Sequence, residues 1–221
     1  MARVAPSPPP TRFGSYLQAL MAALVLGWVS SAALADPIRL LALGDSLTAG
    51  YGLARGDSLP AQLETALGSR GYDVVILNAG VSGDTTAGGR ARLAWALGDD
   101  PDGVIVALGA NDGLRGIDPA TTRANLKAIL EALAARNLPV LLAGMYAPPN
   151  LGKGYETPFN ALYRDLAADF DVVFYPFILE GVATEAALNQ TDGIHPNAEG
   201  VAAIVERLLP YVERLLARID A

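Results

Sequence analysis

The chain of 221 residues contains no cysteine and only one histidine, His195. The absence of cysteine excludes disulfides, thiolate metal sites and the lipid anchor of a bacterial lipoprotein. Imidazole is the side chain whose ordinary pKa lies close to neutrality, so His195 is the one candidate for an imidazole general base. With one histidine and no cysteine, the sequence also contains no cluster that suits a metal ion.

Basic side chains are scarce relative to acidic ones, because the chain has 16 lysines and arginines against 23 aspartates and glutamates. Residues 1–35 contain two of the arginines and no acidic residue, which leaves a net charge of −9 on residues 36–221. Such a charge disfavours nucleic acids and anionic membrane surfaces as partners. The remaining 186 residues are enough for one substantial core, so we expect a single domain over residues 36–221.

The first 35 residues have the pattern of an export signal. Arg3 and Arg12 give a positive start, residues 16–29 form an apolar core, and Ala33-Leu34-Ala35 is a small-x-small cleavage site. We therefore expect cleavage after Ala35 and a periplasmic or secreted protein with no stable membrane anchor. The alternative is a retained anchor, because the apolar run reaches about 20 residues when it is counted to Ala35, which is enough to span a bilayer.

Short apolar runs alternate with helical patterns along the rest of the chain. The runs are rich in Val, Ile and Leu and are bounded by Gly, Pro, Asn or Asp, as is typical of strands buried on both faces. They cover residues 38–43, 73–77, 104–108, 140–144 and 172–175, and the helical patterns cover residues 58–69, 84–97, 119–136, 157–169 and 197–218. This alternation predicts a parallel sheet with helices on both faces, a three-layer α/β/α domain. Residues 147–154, rich in Pro and Gly, predict an extended surface loop.

The unusual polar residues follow the predicted strands. The segments concerned are Gly44-Asp45-Ser46-Leu47-Thr48, Asn78-Ala79-Gly80-Val81-Ser82-Gly83-Asp84, Gly109-Ala110-Asn111-Asp112-Gly113 and Asp192-Gly193-Ile194-His195. Because ligands of such sheets bind beyond the carboxyl ends of the strands, we expect these four segments to converge at one edge.

The chemistry of these segments is complementary. A serine hydroxyl needs a base to remove its proton, the base needs an acceptor on its other nitrogen, and the developing oxyanion needs N–H donors. Ser46, His195 and Asp192 suit the first three roles, and the spacing of three residues brings Asp192 and His195 together. The backbone N–H groups of Ser46 and Gly83 and the side-chain amide of Asn111 suit the oxyanion.

These segments resemble, in order, the conserved blocks of the GDSL or SGNH hydrolases, and in particular a subgroup of exported thioesterases, lysophospholipases and arylesterases. The resemblance covers residues 40–200. It implies a flavodoxin-like five-stranded sheet of order 2-1-3-4-5, Ser46 as nucleophile, no cofactor and a small acyl ester or thioester as substrate. It also excludes the Gly-x-Ser-x-Gly elbow of other hydrolases, because Thr48 stands where that motif has glycine. We expect a monomer.

Other interpretations remain open. Ser46 is also a suitable helix cap, His195 a suitable helix-entry residue, and Asp112 suits a turn. We expect Asp45 and Asp84 to brace loops, while Arg115 is either a solvated charge or part of a mobile loop beside the site. Residues 145–148 favour an acyl or aryl substrate unless they belong to the core. A carbohydrate O-acetylesterase with the same triad and a noncatalytic ligand-binding domain are the alternative functions.

Overall fold

A computed structural model describes residues 1–5 and 36–219. The predicted export signal therefore lies almost entirely outside the described residues, and residues 1–5 have no regular secondary structure. The chain divides into two compact units, Met1–Asp36 and Pro37–Ala221.

The second unit is built on a five-stranded parallel sheet. Its strands are β1 (Ile38–Gly44), β2 (Val74–Gly80), β3 (Gly103–Ala107), β4 (Val140–Ala143) and β5 (Val173–Tyr175). All neighbouring strands run parallel, in the order β2-β1-β3-β4-β5. Both the strand order and the fold class agree with the prediction.

Helices cover both faces of the sheet. They are α1 (Ser46–Ala49), α2 (Leu59–Ser69), α3 (Thr86–Ala96), α4 (Ala110–Leu114), α5 (Pro119–Ala134), α6 (Lys153–Phe170) and α7 (Ala198–Ile219). Helices α2 and α7 pack together on one side, and α3, α5 and α6 pack side by side on the other. Four short 3-10 helices, Arg55–Asp57, Leu97–Asp99, Pro149–Leu151 and Ala186–Leu188, lie in the connections. In the described part of the chain, no helix combines the length and apolarity needed to cross a membrane.

The core forms where the central strands meet the apolar stripes of the helices. Leu40, Leu43 and Leu142 are fully buried in the strands, and Leu126 and Val212 are their counterparts on α5 and α7. Burying a side chain of this size stabilises the fold by about 2 kcal/mol relative to leaving it exposed. The apolar runs in the sequence are therefore the strands that carry the site at their carboxyl ends.

Three local expectations were wrong. Residues 78–80 continue β2 instead of following it. Residues 149–154 are exposed as expected, but the segment 147–154 is not one extended loop, because it contains a 3-10 helix and the first residues of α6. Helix α6 starts at Lys153 and contains Pro158 at an exposed position, while Phe159 and Tyr163 of the same helix are buried in the core.

Candidate active site

Ser46 is the first residue of α1, directly beyond the carboxyl end of β1. The turn is tight because both neighbouring strands end in glycine. A Cβ on Gly44 would lie 1.9 Å from Thr48 Oγ1, and one on Gly80 would lie 2.2 Å from the backbone nitrogen of Ala49. The two glycines therefore allow α1 to rest on the ends of β1 and β2, which brings Ser46 to the edge of the sheet.

Asp45, and not Ser46, caps this helix. Its side chain accepts a hydrogen bond of 3.0 Å from the backbone N–H of Leu47, and the Asn111 amide lies 3.5 Å from its other oxygen. The side chain is only 1% exposed, and this burial raises the pKa of Asp45 to about 6 in spite of both hydrogen bonds. Because Asp45 takes the capping role, the hydroxyl of Ser46 is left free for another partner.

That partner is His195. Its Nε2 lies 2.9 Å from Ser46 Oγ, and its Nδ1 lies 2.7 Å from Asp192 Oδ2. The second oxygen of Asp192 accepts hydrogen bonds from the backbone N–H groups of Ile194 and His195. The hydrogen bond from the His195 ring, followed by these backbone donors, lowers the pKa of Asp192 to about 2. A carboxylate on Nδ1 fixes the proton there and leaves Nε2 as an acceptor for the Ser46 hydroxyl.

The three expected oxyanion donors lie around the same groove. Ser46, Gly83, Asn111 and His195 all line a groove of about 490 Å³, and Asn111 is held within α4. Within residues 36–219, the backbone N–H groups of Ser46 and Gly83 donate no hydrogen bond. Asp192 does not line the groove, because it lies behind the imidazole of His195. The structure thus brings together all five residues that the sequence indicated.

The groove also has an apolar wall. Tyr146 stacks on Phe177 with ring centroids 4.4 Å apart, and both rings line the groove together with Leu179. Met145 and Ala147 are buried in the core and still reach the groove, so the two interpretations of this segment are both correct in part. A wall of this kind suits an acyl or aryl group better than a sugar ring with its many hydroxyls.

Comparison with known proteins identifies the family of the chain. Residues 42–203 match the model of the GDSL-like Lipase/Acylhydrolase family. The chain belongs to this family. It is 41% identical to the arylesterase of Vibrio mimicus over 83% of this chain and 92% of that protein. It is 40% identical to thioesterase 1/protease 1/lysophospholipase L1 of Escherichia coli over 80% of this chain and 84% of that protein.

A solved structure shows the same fold. The chain superposes on AlinE4, an SGNH-hydrolase family esterase, with a TM-score of 0.69 and 49% identity, covering 82% of this chain and 97% of that one. As a member of the GDSL family, the protein is a carboxylic ester hydrolase.

Several charged residues brace the site of this hydrolase. Arg92 bonds Asp84 at 2.6 Å and also donates to the carbonyls of Ala79 and Gly44, so it fastens the ends of β1 and β2 to α3. Asp84 therefore braces this loop, as expected, through its ion pair with Arg92.

Asp112 and Arg115 have more specific contacts than the sequence indicated. The side chain of Asp112 does not bond to the backbone of its own turn. It is fully buried and accepts hydrogen bonds from the backbone N–H and the hydroxyl of Thr86 at the start of α3. Arg115 is exposed but not merely solvated, since its Nη2 donates to the carbonyl of Gly83 at 2.8 Å. Among the described residues, no group of three or more His, Cys, Asp or Glu side chains is arranged to hold a metal ion.

Sequence reasoning missed two residues beside the base. The ring of Tyr51 lies 4.7 Å from the imidazole of His195, and the side chain of Gln190 joins the two segments that carry these rings. Tyr51 stands in Gly50-Tyr51-Gly52, only five residues after Ser46, and an aromatic residue between two glycines is the signal that was available.

Proposed function

We propose that this protein is an exported serine esterase, of the arylesterase, thioesterase or lysophospholipase type, that uses a Ser46-His195-Asp192 triad. The observation that carries the proposal is the continuous hydrogen-bonded chain from Ser46 Oγ through both ring nitrogens of His195 to Asp192, at the wall of an apolar groove. A serine that is merely structural has no need of an imidazole in this tautomer or of a carboxylate behind it.

The first half of the reaction forms an acyl-enzyme. Ser46 Oγ attacks the carbonyl carbon while His195 Nε2 takes the hydroxyl proton, and Asp192 stabilises the resulting imidazolium. The backbone N–H groups of Ser46 and Gly83 and the side-chain amide of Asn111 stabilise the negative charge on the carbonyl oxygen. When the tetrahedral intermediate collapses, the imidazolium gives its proton to the leaving alcohol or thiol, and the acyl group stays on Ser46.

The second half repeats these steps with water. His195 takes a proton from the water molecule as its oxygen attacks the acyl carbon, and the same donors meet the second oxyanion. Collapse releases the carboxylic acid and returns the proton to Ser46. Every proton therefore passes through His195, which makes the single histidine essential in both halves.

The apolar wall supports an acyl or aryl group on the substrate. The names of the curated relatives, arylesterase and thioesterase 1/protease 1/lysophospholipase L1, point in the same direction. A panel of phenyl esters and acyl thioesters of increasing chain length, set beside acetylated sugars, tests this substrate class. We expect kcat/KM to rise from two to about six acyl carbons by tenfold or more, because each added methylene buries apolar surface. A preference for acetylated sugars would instead favour a carbohydrate esterase.

Covalent labelling separates an enzyme from a binding domain. A fluorophosphonate reacts with an activated serine, so we expect stoichiometric labelling that is lost in Ser46→Ala. We expect His195→Ala to lower kcat by about 10⁴-fold or more, as removal of a triad base does elsewhere. Most of the activity retained in His195→Ala, or labelling retained in Ser46→Ala, would overturn the mechanism.

Export is a separate part of the proposal. The cleavage pattern that ends at Ala35 is its support, and it lies in the part of the chain without a described structure. Expression of the full chain in a bacterium, followed by fractionation and N-terminal sequencing, tests it. We expect a periplasmic or secreted protein that begins at Asp36. A full-length protein in the membrane fraction would indicate a retained anchor instead.

A further inference from the structure

His195 has a third neighbour besides its two hydrogen-bond partners. The aromatic ring of Tyr51 lies 4.7 Å from the imidazole, centroid to centroid, with the two planes inclined by 39°. Since Nδ1 faces Asp192 and Nε2 faces Ser46, Tyr51 packs against a part of the imidazole that the triad leaves uncovered. The side chain of His195 is 18% exposed as a result of these contacts together.

The backbone of Tyr51 is fixed from both sides. Its N–H donates to the carbonyl of Ser46 at 3.1 Å, so the backbone of Tyr51 is bonded to the backbone of the nucleophilic residue. Its carbonyl accepts a hydrogen bond of 2.7 Å from the side-chain amide of Gln190. Tyr51 therefore holds a defined position although its side chain is half exposed.

Gln190 connects Tyr51 to the segment that carries His195. The same amide nitrogen that reaches Tyr51 also donates to the carbonyl of Pro196 at 3.0 Å. The backbone N–H of Gln190 donates to the carbonyl of His195 at 2.7 Å. The contact is close, because a Cβ on Gly52 would lie 2.1 Å from Gln190 Oε1. One glutamine thus bonds to both of the backbone segments that carry the two rings.

We propose that Tyr51 is a positioning residue for His195 and that Gln190 holds it in place. The inference rests on the proposed function, because it assigns Tyr51 an effect only through the base. An aromatic ring packed on the imidazole limits the rotations that would break the alignment of Ser46, His195 and Asp192. Its electron-rich face also favours the imidazolium that forms during each proton transfer. The contact with His195 is made by the ring of Tyr51, so we expect the ring and not the hydroxyl to act.

Three substitutions separate the contributions of the Tyr51 ring, its hydroxyl and the side-chain amide of Gln190. Tyr51→Phe removes only the hydroxyl, Tyr51→Leu removes the aromatic ring, and Gln190→Ala removes the amide that bonds to the carbonyls of Tyr51 and Pro196. Two controls match them: Tyr72→Leu changes another exposed tyrosine, and Gln62→Ala removes an amide that also donates to two carbonyls, those of Asp57 and Ala198, away from the groove.

Two quantities are measured for each variant. The first is kcat and KM for phenyl acetate, whose small acyl group makes little use of the groove. The second is the rate at which the Nδ1 proton of the imidazole exchanges with solvent, followed by NMR. The protein contains one histidine, so this signal needs no assignment among several rings.

We expect Tyr51→Leu and Gln190→Ala to lower kcat by about tenfold with KM changed by less than about threefold, and to speed up exchange of the Nδ1 proton. Tyr51→Phe and both controls should stay within about twofold of the unchanged protein. Thermal unfolding of Gln190→Ala and Gln62→Ala shows whether a loss of activity merely follows a loss of stability. Equal losses of stability with unequal losses of kcat support the positioning role.

Three results would overturn the inference: an unchanged kcat in Tyr51→Leu, an equal loss in Tyr51→Phe, or a loss of kcat with unchanged exchange of the Nδ1 proton. In all three, inactivity of His195→Ala would show that the proposed function still stands. Activity retained in His195→Ala would overturn both together.

Discussion

At the scale of single residues, Asp45 links the nucleophile to the oxyanion site. One of its oxygens caps the helix that begins with Ser46, and the other faces the amide of Asn111 at 3.5 Å. An amide nitrogen carries two protons, so a proton directed at Asp45 leaves the second for a substrate oxyanion. Burial raises the pKa of Asp45 to about 6, so its carboxylate is ionised at neutral pH at a cost in folding free energy.

This cost predicts a particular pH dependence for Asp45→Asn. In the native protein the carboxyl titrates near pH 6, and in the unfolded chain near its ordinary value of 3.8. Between these values the folded state holds a proton that the unfolded state lacks, so stability rises as the pH falls. We expect the unchanged protein to gain about 2 kcal/mol relative to Asp45→Asn between neutral pH and about pH 4.

Denaturant unfolding of both proteins across this pH range measures the difference, and groups common to both cancel. Asp99→Asn changes an exposed carboxylate and is the matched control, for which we expect no such trend. A difference between Asp45→Asn and the unchanged protein that is constant with pH would contradict the assigned cause of the raised pKa.

The site residues that the sequence revealed are those whose types the reaction requires, and those that it did not reveal depend on tertiary contacts. Ser46, His195 and Asp192 could be predicted because their reaction demands those residue types, and the chain contains one histidine. The glycines around Tyr51 single it out but assign it no role, and Gln190 has no such signal, because tyrosine and glutamine serve many purposes and their role depends on a contact between segments 139 residues apart. The raised pKa of Asp45 likewise depends on burial, which a loop sequence does not show.

At the scale of elements, Asp112 links the two segments that carry Gly83 and Asn111, the proposed oxyanion donors that lie outside α1. Asp112 follows Asn111 in α4 and accepts hydrogen bonds from the N–H and hydroxyl of Thr86, at 2.8 and 2.5 Å. Thr86 comes shortly after Gly83 in the sequence. Thr122 on α5 donates to the same carboxylate at 3.2 Å. A fully buried acceptor with three donors fixes α3, α4 and α5 relative to one another.

We expect Asp112→Ala to lower the free energy of unfolding by about 3 kcal/mol or more, because it leaves three buried donors without an acceptor. The exposed ion pair of Arg123 and Asp169 gives a matched control, and we expect Asp169→Ala to cost less than about 1 kcal/mol. Denaturant unfolding at neutral pH measures both. Equal effects of the two substitutions would show that the network around Asp112 does not hold the helices together.

The strands and longer helices could be predicted because their apolar periodicity extends over enough residues to be recognised. Helices α1 and α4 could not, because four or five residues make barely more than one turn. The start of α6 was hidden by Gly152, Gly154 and Pro158, which favour a loop locally. Burial of its apolar face in the core outweighs this local preference.

At the scale of the whole molecule, the second unit contains all that the proposed chemistry needs. The sheet, both helix layers, the groove and the five site residues lie within residues 37–219. No cysteine exists in the chain, so no disulfide stabilises the unit, and a reducing agent should leave its unfolding temperature unchanged.

This organisation predicts that a chain beginning at Asp36 folds and works as the uncleaved chain of 221 residues does. We expect kcat/KM for a phenyl ester within about twofold, and an unfolding temperature within about 2 °C, of the uncleaved chain, since the strands, helices and site residues all lie within residues 37–219. A chain beginning at Asp45 is the control, because it lacks β1, which lies between β2 and β3 and carries fully buried leucines. Loss of several such side chains exceeds the stability of an ordinary domain, so this control should not fold. If the chain beginning at Asp36 also failed to fold, residues 1–35 would be part of the domain and not a removable signal.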